Sequence, residues 1–191
     1  MRITFVNQKG GVGKTTVALM VAGVLRRSKF DVALDDRDPQ GSARFFAERV
    51  EVPLFDPERP SEYVVTDTPG HMEIDGVGGR QLRELIAASD RLVLVTEKSL
   101  ASVHGSAPMA RLVAAERRAD AKAYVLFNKV RAGTTTGQQS GPEIAGHLGL
   151  PALSVELPLS SALENAFASG LSKVTGPRRQ ELLELAIEVL K

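Results

Sequence analysis

The chain has 191 residues, a net charge of +1 and no cysteine. These figures exclude disulfides, thiolate metal sites and a polycationic nucleic-acid binder, and the length is enough to bury a sizeable core. No apolar run approaches the ~20 residues a membrane helix needs, and a strand starting at Arg2 leaves no room for a signal peptide, so a cytoplasmic protein is expected.

In chain order, the apolar run Ile3 to Val6 reads as a buried strand and Lys14 to about Ser28 as a helix. Asp31 to Leu34 is a second strand, broken by Pro39 and Gly41 into a loop, Asp35-Asp36-Arg37-Asp38-Pro39-Gln40-Gly41. A short helix over Ser42 to Val50 follows, then a proline-bearing connection with a short strand at Pro53 to Phe55. Tyr63 to Thr66 is a strand ending in Asp67-Thr68-Pro69-Gly70, followed by a glycine-rich loop from His71 to Gly79 and a helix over Gln81 to Ala88. Arg91 to Thr96 and Ala123 to Val130 are strands, separated by a helix within Ser102 to Arg118 that Gly105 and Pro108 are expected to interrupt. A polar segment from Ala132 to Gly141, a helix from Pro142, a short strand over Leu153 to Leu157 and helices over Ser161 to Ser169 and Arg178 to Leu190 complete the chain. The alternation predicts an α/β fold in one domain over 1–191: a single doubly wound, mostly parallel sheet with helices on both faces. Ligand sites in such sheets lie at the carboxyl ends of strands, so the loops at Lys9, Asp36, Asp67 and Asn128 should form one composite site.

Lys9-Gly10-Gly11-Val12-Gly13-Lys14-Thr15-Thr16 stands between the first strand and the first helix. Glycines let backbone N–H groups curl around an anion, and the helix start adds unsatisfied donors. Lys14 can reach the β- and γ-phosphates and the Thr15 hydroxyl can ligate Mg²⁺. The ordinary phosphate-loop pattern would put its first glycine at Gln8, and a second lysine, Lys9, stands at the start of the loop.

This stretch resembles the deviant Walker A motif of the ParA/MinD family of P-loop ATPases. The resemblance implies that Gly10, Gly11, Val12, Gly13, Lys14, Thr15 and Thr16 hold the phosphates of ATP or ADP, and that Lys9 reaches across a homodimer to the partner's nucleotide. The Asp36 loop resembles the family's second motif. By that match Asp36 orients the attacking water and Asp38 lies close to the metal, a carboxylate facing a γ-phosphate being able to hold water in line. Asp67 ends an apolar strand as a Walker B acid does and would support Mg²⁺. Asn128 would contact adenine, helped by backbone around Pro158.

One departure favours another nucleotide. Asp67 to Gly70 also satisfies the Asp-x-x-Gly of GTPases, yet Asn128-Lys129-Val130 is followed by Arg131, so the acid that would pair with guanine is missing. ATP is therefore expected. Residues 97–131 hold seven Lys/Arg against three acids. Arg111, Arg118 and Lys122 would share a face of a continuous helix, with Arg117 beside it. By the resemblance that face is a candidate for non-specific DNA binding, which rests on phosphate neutralisation.

The absence of cysteine argues against the nitrogenase-type relatives. The glutamates at 181, 184 and 188 in the last helix argue against a basic membrane-binding helix of the MinD kind. The leading expectation is a small ParA-type ATPase for plasmid or chromosome partition: an ATP-dependent dimer on the nucleoid, released by a ParB-type partner and not bound to membrane. The alternatives are a related ATPase that positions a protein assembly and a GTP-dependent switch or chaperone.

Overall fold

The strands β1 (Arg2–Val6), β2 (Val32–Asp36), β3 (Tyr63–Asp67), β4 (Arg91–Thr96) and β5 (Lys122–Phe127) pair only in parallel, in the order β2-β3-β1-β4-β5. This computed structural model describes residues 1–70, 74, 76–166 and 170–191. Side chains of β1 alternate across the sheet, as the strand period requires. Ile3 and Phe5 enter the core formed with α1 (Lys14–Arg27) and the C-terminal helix (Gly176–Leu190), and Val6 enters the core formed with α3 (Gly76–Ala88) and α4 (Leu100–Glu116). Layers on both sides explain why β1 and β4 are apolar runs rather than alternating ones. The doubly wound architecture read from the sequence is the one observed. Among the described residues no helix is long and apolar enough to cross a membrane.

Several local expectations are corrected. The helix expected from Gln81 begins at Gly76, inside the segment read as a loop. His71 lies outside the described residues. Helix α4 passes Gly105 and Pro108 without a break. Its start is fixed by Ser99, whose hydroxyl accepts from the Ser102 backbone N–H, a capping bond. The short strand expected at 53–55 is a single bridge, Leu34 with Leu54, and the one expected at 153–157 is flanked by single bridges, Val125 with Ala152 and Val130 with Pro158.

The end of α4 overturns the predicted basic face. The helix stops at Glu116, and Arg117 is extended at φ −67°, ψ 148°. Arg111, Arg118 and Lys122 therefore do not share a helix. Arg118 turns back to Asp90 at 2.7 Å and Asp120 at 3.1 Å, and Arg117 donates to the Ala121 carbonyl. Lys122 opens β5 at the amino end of the sheet, the pole opposite the glycine-rich loop. Only Arg111 of the four projects exposed from the helix itself. Helical spacing does not continue past Glu116, where the chain turns toward β5.

Candidate functional site

The glycine-rich loop sits at the carboxyl end of the central strand, where loops from β2, β3 and β5 also arrive. Gly11 (φ +76°) and Gly13 (φ +93°) adopt the left-handed conformation that curls the loop. Helix α1 begins with no side-chain cap and no acid in its first turn, so its leading N–H groups face outward unsatisfied. Together they border a cavity of about 650 Å³, to which Lys14, Thr15, Thr16, Asp38, Gly70 and Lys129 contribute. Lys14 is buried there, and burial lowers its pKa against the partial opposition of Asp67 and Asp38.

The start of the loop is held by Asn7, a residue the sequence reading passed over. Fully buried, it donates to the Val95 carbonyl at 2.8 Å and the Ser106 hydroxyl at 2.7 Å, and accepts from the Lys9 N–H at 3.0 Å. The available signal was a polar amide directly after an apolar strand. Lys9 itself lies against α4, with its stem 3.9 Å from where a Cβ on Gly105 would stand. It does not border the cavity, and the described residues give its ammonium no hydrogen-bond partner.

Asp67 and Asp36 are partners in register on neighbouring strands. Asp67 is fully buried, and neither carboxylate oxygen has a hydrogen-bond partner among the described residues. Burial raises its pKa to about 7. The Thr15 hydroxyl nearby lowers it without reaching hydrogen-bonding geometry, Asp36 raises it, Lys14 lowers it and Asp38 raises it. Two partnerless oxygens beside a hydroxyl suit a hard divalent cation that takes oxygen ligands, so the residues present fit magnesium.

The loop after β2 assigns its two acids differently from the sequence reading. Both oxygens of Asp36 are turned into its own loop, accepting from the backbone N–H of Asp38 at 3.0 Å and of Arg44 at 2.7 Å. Asp36 thus organises the turn and the start of α2 (Ser42–Ala47) rather than facing the cavity. Asp38 does border the cavity, and among the described residues only one of its oxygens is engaged, by the Gln40 N–H at 2.9 Å. Asp35 is buried and bridges Arg2 and Arg37.

On the far side a smaller pocket of about 120 Å³ is bordered by Thr16, Val17, Asn128, Lys129, Pro158 and Leu159, among others. The structure therefore brings Asn128 and Pro158 together. The Asn128 amide nitrogen donates to the Val12 carbonyl at 2.8 Å, leaving its oxygen as the acceptor for a donor in the pocket. Gly70 abuts the phosphate loop, its Cβ position 3.5 Å from Gly10 Cα.

Residues 3–174 match the family model described as CobQ/CobB/MinD/ParA nucleotide binding domain. The chain belongs to this family. The MinD cell division protein of Aquifex aeolicus superposes on this ParA/MinD-type chain with a TM-score of 0.74 at 15% identity, covering 99% of this chain and 96% of that one. The ATP complex of a Cyanothece McdA variant gives 0.76 at 14%, covering 99% and 95%. Cobyrinic acid a,c-diamide synthase from Mycobacterium smegmatis, with bound ADP and magnesium, gives 0.65 at 18%, covering 88% and 96%. At these identities the likeness is one of fold. In sequence, the chain is 37% identical over 109 residues to the maintenance of carboxysome distribution protein A of Gloeobacter kilaueensis, covering 49% of this chain and 48% of that protein. It is 57% identical over 42 residues to the chromosome-partitioning ATPase Soj of Thermus thermophilus, covering 22% and 17%. The matches thus span about half the first relative's length and about a sixth of the second's.

Proposed function

We propose that this ParA/MinD-type chain is an ATPase whose bound ATP joins two copies, and that it uses the cycle of joining and release to position a cargo. The observation that carries this reading is the division of labour between two lysines: Lys14 is buried in the phosphate cavity, whereas Lys9 lies outside it against α4 with its ammonium uncommitted. A cation held beside a phosphate site but outside it is placed to serve the site of a second copy.

Within one copy, the N–H groups of the loop and the start of α1 bind the phosphates, and Lys14 neutralises β- and γ-phosphate charge. Thr15 and Asp67 would hold magnesium, with Asp38 near it. When bound, the ion supplies Lewis-acid stabilisation of the phosphate oxygens. Asp38, rather than Asp36, orients the attacking water, because it borders the cavity and has an oxygen that accepts from no described residue. The Asn128 side-chain oxygen accepts the exocyclic amine of adenine beside Pro158, and it would repel the carbonyl that guanine carries there.

The cargo is a replicon held by a ParB-type adaptor, with the ATP-joined dimer on non-specific DNA in the cytoplasm, over the nucleoid. A protein assembly is the second reading, favoured by the longer of the two sequence matches, to a carboxysome distribution protein. Retention of DNA with ATP but not ADP, steeply weakened by salt, tests the DNA-bound dimer.

Sedimentation with magnesium and a non-hydrolysable ATP analogue tests the dimer. The parent is expected to double in mass and Lys9→Ala to stay single while still binding nucleotide; a parent that never doubles defeats the reading. Asp38→Ala is expected to bind ATP and melt like the parent but to hydrolyse it about 100-fold more slowly. Asp36→Ala, which strands two backbone N–H groups, is expected to lose about 1–3 kcal/mol of stability in thermal unfolding.

A further inference from the structure

We propose that Lys129 is a positioning residue of the phosphate loop, and that with Asn128 it forms a clamp setting the loop's shape before any anion arrives. Two consecutive loop carbonyls are held from the same side. Gly11 O accepts from the Lys129 ammonium at 2.9 Å, and Val12 O accepts from the Asn128 amide at 2.8 Å. A peptide unit is planar and its C=O and N–H point in opposite directions. Drawing these two oxygens onto fixed donors therefore turns the N–H groups of Val12 and Gly13 the other way, toward the phosphate cavity. Glycines make the curled shape accessible but do not select it, since they permit many others. The clamp makes the selection.

Two further observations point to the same residue. Lys129 adopts φ +55°, a conformation uncommon for a residue with a side chain. Strain of this kind persists where the surroundings over-determine it and concentrates at functional sites. The second is the fit of the clamp against the loop. A Cβ on Gly13 would stand 2.3 Å from the Asn128 amide nitrogen and 3.9 Å from Lys129 Cε, so both side chains pack against that glycine. Lys129 also borders both the phosphate cavity and the smaller pocket that Asn128 serves. Neighbouring residues at the end of β5 thereby join base recognition to phosphate-loop geometry.

The inference rests on reading the site as one for a nucleoside triphosphate, and its test separates the two. Lys129→Met keeps the stem and the backbone conformation but removes the donor; Lys129→Arg restores a cationic donor. The first measurement is the NMR order parameter of the backbone N–H groups of residues 12–15 in the nucleotide-free protein. The second is the dissociation constant for ATP and for inorganic tripolyphosphate. In Lys129→Met the loop order parameters are expected to fall from about 0.85 to below about 0.6, with those elsewhere unchanged, and both ligands to bind about tenfold more weakly. Lys129→Arg should restore the loop order parameters and return each dissociation constant to within about threefold of the parent. Parental order parameters with weakened binding would mean that the ammonium touches phosphate directly, and would overturn the clamp. Parental order parameters with parental binding, or lower order parameters throughout the molecule with a lower melting temperature, overturn it equally. A parent that binds neither ligand defeats the nucleotide reading, while the order parameters still decide the clamp.

Discussion

An Asp67→Asn protein is expected to melt at a higher temperature than the parent at pH 8 without nucleotide, and to lose magnesium-dependent ATP hydrolysis. The parent buries a carboxylate whose two oxygens meet no donor. Burial first, then the neighbouring acids Asp36 and Asp38, raise its pKa from 3.8 to about 7, with the Thr15 hydroxyl and Lys14 opposing. The folded protein therefore holds this proton more tightly than the unfolded chain does. Stability from this group is fully present below pH 3.8 and is lost as pH rises through about 7. At 1.36 kcal/mol per pKa unit the loss is at most roughly 4 kcal/mol. The amide of asparagine removes the charge but still needs partners, so a net gain of about 1–3 kcal/mol is expected at pH 8. That corresponds to about 3–8 °C for a chain of this size. Below pH 3.8, where the carboxyl is protonated in both the folded and the unfolded state, the two proteins should melt together. Hydrolysis should fall by about two orders of magnitude or more, because the residue that would support the metal is lost. Equal melting temperatures at pH 8 would show that the carboxylate is hydrated and would remove the argument. The expected opposition of stability and activity at one residue is characteristic of a site built around an ion.

Gly13→Ala is expected to abolish nucleotide binding and to cost about 2–5 kcal/mol of stability. Two terms add. The backbone at φ +93° disfavours any side chain, by about 1–2 kcal/mol. The new methyl would also stand 2.3 Å from the Asn128 amide nitrogen, which must then leave the Val12 carbonyl. Losing that buried hydrogen bond adds about 1–3 kcal/mol. The second term predicts non-additivity. In Gly13→Ala/Asn128→Ala the clash is gone, so the double variant should be less destabilised in urea unfolding than the sum of the single variants. Gly11→Ala is the contrast: the same left-handed strain applies, at φ +76°, but nothing stands within 4 Å of its Cβ position. It should cost only the first term. Additive energies for the Gly13 and Asn128 pair would contradict the packing described here.

Period and punctuation in the sequence were enough for the parallel sheet and for the phosphate loop. Apolar runs of about four to eight residues alternating with longer helical patterns leave few arrangements that bury both faces of a sheet. Gly10, Gly11 and Gly13 before Lys14 carry their chemistry in their spacing alone, because the loop is a local structure. What failed were inferences that needed an element's end or a neighbour's position. The basic face of Arg111, Arg118 and Lys122 assumed a helix that stops at Glu116. Asp36 and Asp38 are equivalent letters in a motif. Which of them turns inward to hold its own loop depends on where the Arg44 N–H falls after the chain has folded back. Asn7, Asn128 and Lys129 act on residues between two and about 120 positions away, through single hydrogen bonds that no periodicity records. Local pattern by itself determined the class of fold and the anion-binding loop, since both follow from steric and hydrophobic preferences written over short stretches of chain. Only the tertiary structure decided which carboxylate faces the cavity, which lysine stays outside it and what holds the loop in shape, because those depend on contacts between strands far apart in sequence.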